Sequence, residues 1–329
     1  MSIAILFHFY KSKENFSVSL QAKFLKMKIL VTNDDGYQAK GINILAEMMR
    51  QFGDVTVVAP KTHQSGMSMA VSLGLKPIRY KAVRHEDASS DGQKGSLDIA
   101  YLDATPASCV KFALDILYTD YLPDVVVSGI NHGSNAASAS CYSGTLGAAQ
   151  EGALNGIPAI GVSLDSINPD ADFSAVEQYF PAIFKKIMEI AAVGKTRRNE
   201  IQLKEKNGIY YNVNFPDLPA DKLKGTRAGY QGDGHWVKEF IGWDPDFYIR
   251  HGVTPELLGQ VSTPECEEGE KLYMMAGTFI DDSKDEPRAD HHIMQDGYIS
   301  IVAHNIDTTD YDAVAALDKL GFDTEFQHK

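Results

Sequence analysis

Two adjacent carboxylates, Asp34 and Asp35, stand directly before Gly36 at the end of a short apolar, β-branched run, residues 28–32 (KILVT). Inside a regular strand, neighbouring side chains point to opposite faces. At a strand end the chain is free to turn, and the glycine's permissive backbone lets both carboxylates face one point. Carboxylates that close repel, and each raises the other's pKa unless a cation sits between them. Two more oxygens come from segments that read as further strand ends: the Ser65 hydroxyl in 64–68 (QSGMS) and the Asn131 amide in 128–135 (SGINHGSN). An all-oxygen set of this kind suits one hard divalent cation, Mg²⁺ or Mn²⁺, better than zinc. Taken alone, Asp-Asp-Gly reads as a solvated turn; its place after an apolar strand and its partners at other strand ends argue for the cation.

Tyr142-Ser143-Gly144-Thr145 opens a helical segment. Helix N-termini present unpaired N–H groups and partial positive charge, a ready anion site. Ser143, Gly144 and Thr145 are therefore candidate phosphate contacts, with plain N-capping by Ser143 as the alternative. Backbone-held phosphate predicts that a side chain at Gly144 blocks the anion while leaving metal affinity unchanged. Asn135 is a further phosphate contact or a loop residue. His132 is an acid, a support for its neighbour Asn131, or a solvated loop residue. His291-His292 and the Asp233/His235 region are not spaced like a metal site and read as surface. Trp236 and Trp243, in an aromatic stretch, read as packing or oligomer contacts. No G-x-S-x-G elbow is present, which removes that route to a serine nucleophile. No G-x-G-x-x-G follows the first strand, which removes a dinucleotide oxidoreductase.

The elements that must position these groups alternate. Residues 28–32 read as a strand, 42–52 (INILAEMMRQF) as an amphipathic helix and 55–59 (VTVVA) as the next strand. The right-handed crossover rule makes the two strands parallel neighbours. Leu97–Leu102 reads as a strand, and Thr105-Pro106 as a cap and first turn for a helix over 107–118. Strands over 125–128, 159–164, 209–215 and 298–303 follow, with helices over Gly144–Leu154, 176–192 and 312–320. Alternating strands and helices argue α/β with a parallel sheet covered on both faces. Residues 225–277 break the pattern, rich in Gly, Asp and aromatics, and read as a β-hairpin excursion. Uncovered strand edges and apolar side chains there favour pairing with another subunit.

The formal net charge of −13 argues against a nucleic-acid polymer or an anionic membrane as partner. A small phosphate ligand needs only one local cation site. No apolar run approaches the length of a membrane span. Three cysteines without a C-x-x-C pair point to reduced thiols and a cytoplasmic setting. Residues 1–26 read as an N-terminal extension before a natural-looking start at Met27, and 27–329 as a single α/β domain.

Taken in order, several blocks resemble the SurE family, the survival protein E nucleotidases: 29–36 (ILVTNDDG), Ala59-Pro60 with 64–68, 126–135 (VVSGINHGSN), 142–152 (YSGTLGAAQEG), 212–216 (NVNFP) and 296–300 (DGYIS). The resemblance runs from Met27 to about residue 310. It implies a Rossmann-like three-layer α/β/α domain with the cation at Asp34, Asp35, Ser65 and Asn131. It implies hydrolysis of nucleoside 5′- and often 3′-monophosphates, with polyphosphate a substrate of some relatives. It also implies a homodimer or homotetramer in which C-terminal elements exchange. Asp34 is then the candidate to position or deprotonate an attacking water. Three departures stand out: Ser108 in place of a usual acidic residue, Ala136–Cys141 (AASASC) beside the phosphate turn, and Ala303-His304 for a Pro-Leu pair. The rival reading is a non-catalytic metal-dependent nucleotide sensor or stress-response protein. Intact ligands favour turnover, because a sensor has no need of a coordination position for water.

Overall fold

The computed structural model describes residues 27–74, 76–168, 170–201, 208–250, 263–320 and 322, without the side chains of 192–201 and 248. The expected extension 1–26 and residues 251–262 of the excursion lie outside them. Strand β1 (Met27–Thr32) leads into helix α1 (Lys40–Met49), which returns the chain to β2 (Gly53–Pro60). β1 and β2 pair in parallel, as the crossover rule requires. β3 (Tyr80–Glu86) and β4 (Leu97–Leu102) form an antiparallel pair, with β4 parallel to β2. Helix α2 (Pro106–Phe112) continues as a π-helical turn over Ala113–Leu117. The remaining elements of the main layer structure are β5 (Val125–His132), α3 (Ala139–Tyr142), α4 (Gly144–Leu154), β6 (Ala159–Asp165), α5 (Ser174–Ile201) and β7 (Ile209–Pro216).

Six parallel strands form the centre of a nine-stranded sheet in the order β3-β4-β2-β1-β5-β6-β7, followed by β13 (Ile299–Asn305) and β8 (Thr226–Gly229). β13 runs antiparallel to β7 and parallel to β8. Successive strand residues feed opposite cores. Ile29, Val31, Val55, Val57, Val125 and Val127 pack under α1 and α5, where Phe180 and Phe184 are fully buried. Leu30, Val58 and Val126 face the other way, onto Cys109 and Val110 of α2 and the alanines of α4. Both faces are dry, so the strands read as unbroken apolar runs.

Several boundaries differ from the sequence-based reading. β3 carries no apolar alternation and is exposed along almost its whole length; backbone pairing to β4 alone makes it a strand. Thr105 precedes α2 but makes no side-chain cap. Its hydroxyl donates to the Ala70 carbonyl (2.7 Å) and meets Ser108 Oγ (2.9 Å). β8 belongs to the main sheet. The excursion consists of two antiparallel ribbons: β9 (Gly234–Val237) pairs with β12 (Thr278–Asp281), and β10 (Phe240–Gly242) with β11 (Tyr273–Met275). A four-residue helix, α6 (Phe247–Arg250), follows β10. Helix α7 (Asp290–Gln295), which the sequence reading lacked, precedes β13, and α8 (Tyr311–Lys319) follows it, capped by Asp310.

β5 shifts register against β6 between Ser128 and Asn131. Gly129 makes the shift with φ +134°, where a Cβ would lie 2.2 Å from the Val162 carbonyl oxygen. Gly129→Ala is therefore expected to lower stability in urea by about 2 kcal/mol or more, through strain and overlap together. Gly66→Ala, at φ +76° with open space around it, should cost only about 1 kcal/mol. Equal losses at the two positions would contradict this account.

Candidate metal and phosphate site

The chain runs from β1 to β2 and β4 on one side of the sheet, then returns to β5 on the other side of β1. This reversal opens a crevice at the carboxyl ends of β1 and β5, the place where open α/β sheets bind ligands. Asn33, fully buried at the end of β1, folds its side chain onto Gly36: Oδ1 accepts the Gly36 N–H (3.2 Å) and Nδ2 donates to its carbonyl (3.0 Å). Gly36 completes the turn at φ +100°. The two carboxylates then take different partners. Asp34 Oδ1 accepts the Thr145 hydroxyl (2.6 Å) and Oδ2 the Thr145 N–H (3.1 Å). Asp35 Oδ2 accepts the His132 N–H (3.3 Å), and Oδ1 lies 3.4 Å from His63 Nδ1.

Burial, then the neighbouring Asp35 charge, pushes the Asp34 carboxyl up to about 6, against the opposing pull of Thr145. The hydrogen bond to Asp35 raises His63 above the usual imidazole value. Asn131 spends its Nδ2 on the His132 (3.1 Å) and Gly133 (2.7 Å) carbonyls. Its Oδ1 lies 3.5 Å from the same Thr145 hydroxyl that binds Asp34. The loop after β2 is pinned over this group: the Gln64 N–H donates to the Asp34 carbonyl (2.6 Å), and Ser68 donates to the Tyr142 and Cys141 carbonyls. Ser65 stands between the two ties with its side chain exposed.

The phosphate candidates divide. Ser143 caps α4, its Oγ accepting the Leu146 N–H (3.0 Å). The Thr145 N–H and hydroxyl are both engaged by Asp34. Gly144 needs correction: a Cβ there would lie 2.8 Å from Asp34 Cβ and 2.9 Å from its Oδ2. A side chain at 144 disturbs the carboxylate as well as the anion position, so it does not separate phosphate from metal. Asn135 is buried in a polar lattice. Its N–H donates to Asn214 Oδ1, its carbonyl accepts from Asn212 Nδ2, and its own amide donates to Ser163 Oγ, each at 2.8 Å. Asn214 Nδ2 closes the lattice on Asn212 Oδ1. The sequence held a signal for this pair: two asparagines at alternate positions of an otherwise apolar strand share one face. Asp290 was also missed; it is fully buried and accepts the Ala137 and Gly232 N–H groups (both 3.0 Å). His132 meets Phe173 with the two rings perpendicular, and its buried Nδ1 has no hydrogen-bond partner among the described residues.

Residues 29–238 match the family described as Survival protein SurE. The 5′-nucleotidase SurE of Bacteroides thetaiotaomicron is 34% identical over 286 residues, 87% of this chain and 93% of that protein. The 5′-nucleotidase SurE of Caldanaerobacter subterraneus subsp. tengcongensis is 36% identical, covering 89% and 96%. The chain belongs to the SurE family. The crystal structure of the SurE protein from Aquifex aeolicus superposes with a TM-score of 0.62 at 26% identity, covering 89% of this chain and 99% of that one.

The donor chemistry of this SurE chain fits a divalent cation. One adjacent carboxylate is buried, the pair carries two negative charges, and the Asn131 amide hydrogens are committed elsewhere, which leaves its oxygen as the free end. A testable consequence follows for metal-free protein. Because the Asp34 pKa in the fold lies above the ordinary 3.8, its ionisation opposes folding: the penalty is absent below about 4 and complete above about 6. The rise to about 6 corresponds to roughly 3 kcal/mol. Asp34→Asn should therefore stabilise metal-free protein at pH 8 and lose most of that gain at pH 4.5, read as urea midpoints. An equal effect at both pH values would contradict the burial argument.

Proposed function

We propose that this chain is a metal-dependent 5′-nucleotidase, hydrolysing nucleoside monophosphates to nucleoside and phosphate. The observation that carries the reading is the meeting of Asp34, Asp35 and the Asn131 amide at the β1/β5 crevice, beside the N-terminus of α4. The relatives described as 5′-nucleotidase SurE support it over a nucleotide sensor. Asp34, Asp35, Ser65 and Asn131 would hold one divalent cation per subunit. Mg²⁺ or Mn²⁺ suits these oxygen donors. When bound, the cation supplies Lewis-acid polarisation of the phosphoryl group and a lowered pKa for water.

The protein's own groups do the rest. The start of α4 at Ser143, Gly144 and Thr145 offers its positive end to phosphate oxygens, while Asn135, bound into the buried amide lattice, holds the neighbouring loop in place. Thr145 also fixes both oxygens of Asp34, so that this carboxylate orients the attacking water in line with the departing nucleoside oxygen and takes its proton. Asp35 accepts the His132 N–H and so ties the β5 loop to the end of β1, where the cation would bind. A cavity of about 470 Å³ lined by Ser143, Gly147, Tyr210, Tyr230 and His304 adjoins the start of α4 and offers space to a nucleoside. His304 stacks on Tyr210 there, centroids 5.1 Å apart.

The finer reading extends to 3′-monophosphates, a cytoplasmic setting, a single SurE-like domain over 27–329 and a homodimer or homotetramer. Trp236, Phe240, Tyr273 and Met275 are exposed along the ribbons, which supports an oligomer contact there. Among the described residues no helix is long and apolar enough to cross a membrane.

Phosphate release from a panel of nucleoside monophosphates, with and without Mg²⁺ or Mn²⁺, tests the proposal. Activity should require the added cation, and Asp35→Asn should lower kcat/KM by about 100-fold or more, roughly 3 kcal/mol of transition-state stabilisation. Nucleotide binding without turnover under every cation would favour the sensor instead.

A further inference from the structure

His291 and His292 do not lie on the surface as their adjacency in sequence suggests: His291 is buried and His292 half-buried. Side chains at neighbouring helix positions diverge by about 100°. Yet both rings converge on one carboxylate, Asp281 at the end of β12. His291 Nε2 lies 3.1 Å from Asp281 Oδ1, and His292 Nε2 lies 2.7 Å from Oδ2. The three ligand atoms lie within 4.8 Å of one another. Ligands around a tetrahedral zinc, with bonds near 2.0–2.2 Å, stand about 3.3 Å apart, so small adjustments bring all three onto one ion.

The opposite nitrogens carry the argument further. His292 Nδ1 lies 2.9 Å from the Glu286 carbonyl oxygen, an atom that only accepts. Its Nδ1 therefore bears the proton. His291 Nδ1 faces Asp290 Oδ1 at 3.5 Å, and that carboxylate already accepts three backbone N–H groups. Each ring thus has an acceptor at both nitrogens, a neutral imidazole can donate to only one of them, and the ring centroids are 4.2 Å apart. Without an ion, at least His292 must carry a second proton to meet both of its acceptors; with one, two lone pairs and the carboxylate share a cation. Metal-binding histidines use this second arrangement, with the far N–H held by a carbonyl or carboxylate.

We propose a second cation site, formed by Asp281, His291 and His292, for a borderline dication of the Zn²⁺ class, with its remaining position open to water. It is independent of the Asp34/Asp35 site and differs from it in chemistry, offering imidazole where the other offers oxygen alone. Its role is a clamp: Asp281 ends β12, which among the described residues pairs only with β9, whereas α7 packs on β13 and β7 of the main sheet. One ion ties the excursion to the domain.

The test uses full-length, tag-free, metal-stripped protein carrying Asp34→Asn and Asp35→Asn, titrated with Zn²⁺ against a chromophoric chelator. One Zn²⁺ per chain should still bind and raise the melting temperature. Adding His291→Gln and His292→Gln should weaken that binding at least about 100-fold, since loss of supporting groups alone costs 10–100-fold. If that protein does not fold by circular dichroism, Asp281→Asn serves in its place, with the same loss expected. A folded parent that binds no Zn²⁺, or an affinity within threefold after the ligand changes, overturns the site.

Discussion

The hydrogen bonds between Asp34 and Thr145 join the end of the first strand to the start of a helix more than a hundred residues later. Burying a carboxylate beside a second one is costly unless its oxygens find donors or a cation. Thr145 supplies two donors from one residue, and their geometry demands that α4 begin against the strand end. That closeness in turn dictates glycine at 144, where any side chain would strike Asp34, and glycine at 147, where a Cβ would lie 1.9 Å from the Ser68 carbonyl. Asn33 and Gly36 complete the demand from the other side by turning the chain at once. The small residues of α4 are therefore less a matter of helix propensity than of how near a helix must come to a charge.

Behind this contact stands a layer of buried amides. Asn135, Asn212, Asn214 and Ser163 bond to one another inside an otherwise apolar sheet, and Asp290 fastens Ala137 from the opposite end of the same loop. In a low-dielectric interior such networks specify one arrangement when their members are paired. The loop from Asn131 to Ala137 is held by polar contacts at Asn131, His132, Asn135 and Ala137. Rigidity at this loop matters because catalysis by positioning tolerates little displacement.

What the sequence made legible follows from the same physics. β1, β2, β5 and α4 could be read because dry strands are continuous apolar runs and close-packed helices are small-residue runs. The acidic turn could be placed because Asp34-Asp35-Gly36 follows such a run directly. β3 could not, because an exposed edge strand is held by backbone pairing that leaves no side-chain period. The π-helical turn after Phe112 changes the hydrogen-bond step without changing composition. His63 escaped notice because its partnership with Asp35 is made across a loop that no periodicity announces. His291 and His292 were misjudged by spacing: adjacent residues meet one carboxylate only when a strand from the ribbon delivers it between them.

Charge balance connects these pieces. The chain as a whole is strongly anionic, and its substrate carries negative charge too, so attraction has to be local. A divalent ion between Asp34 and Asp35 brings that pair only to neutrality. The surplus needed for a phosphate dianion would have to come from dipoles, and α4 begins against Asp34 with its positive end. His63, whose proton is favoured by Asp35 when no ion is near, competes with a cation for that carboxylate. On the proposed reading, metal loading would therefore exchange a weak, pH-sensitive partner for a fixed double charge beside the positive end of α4.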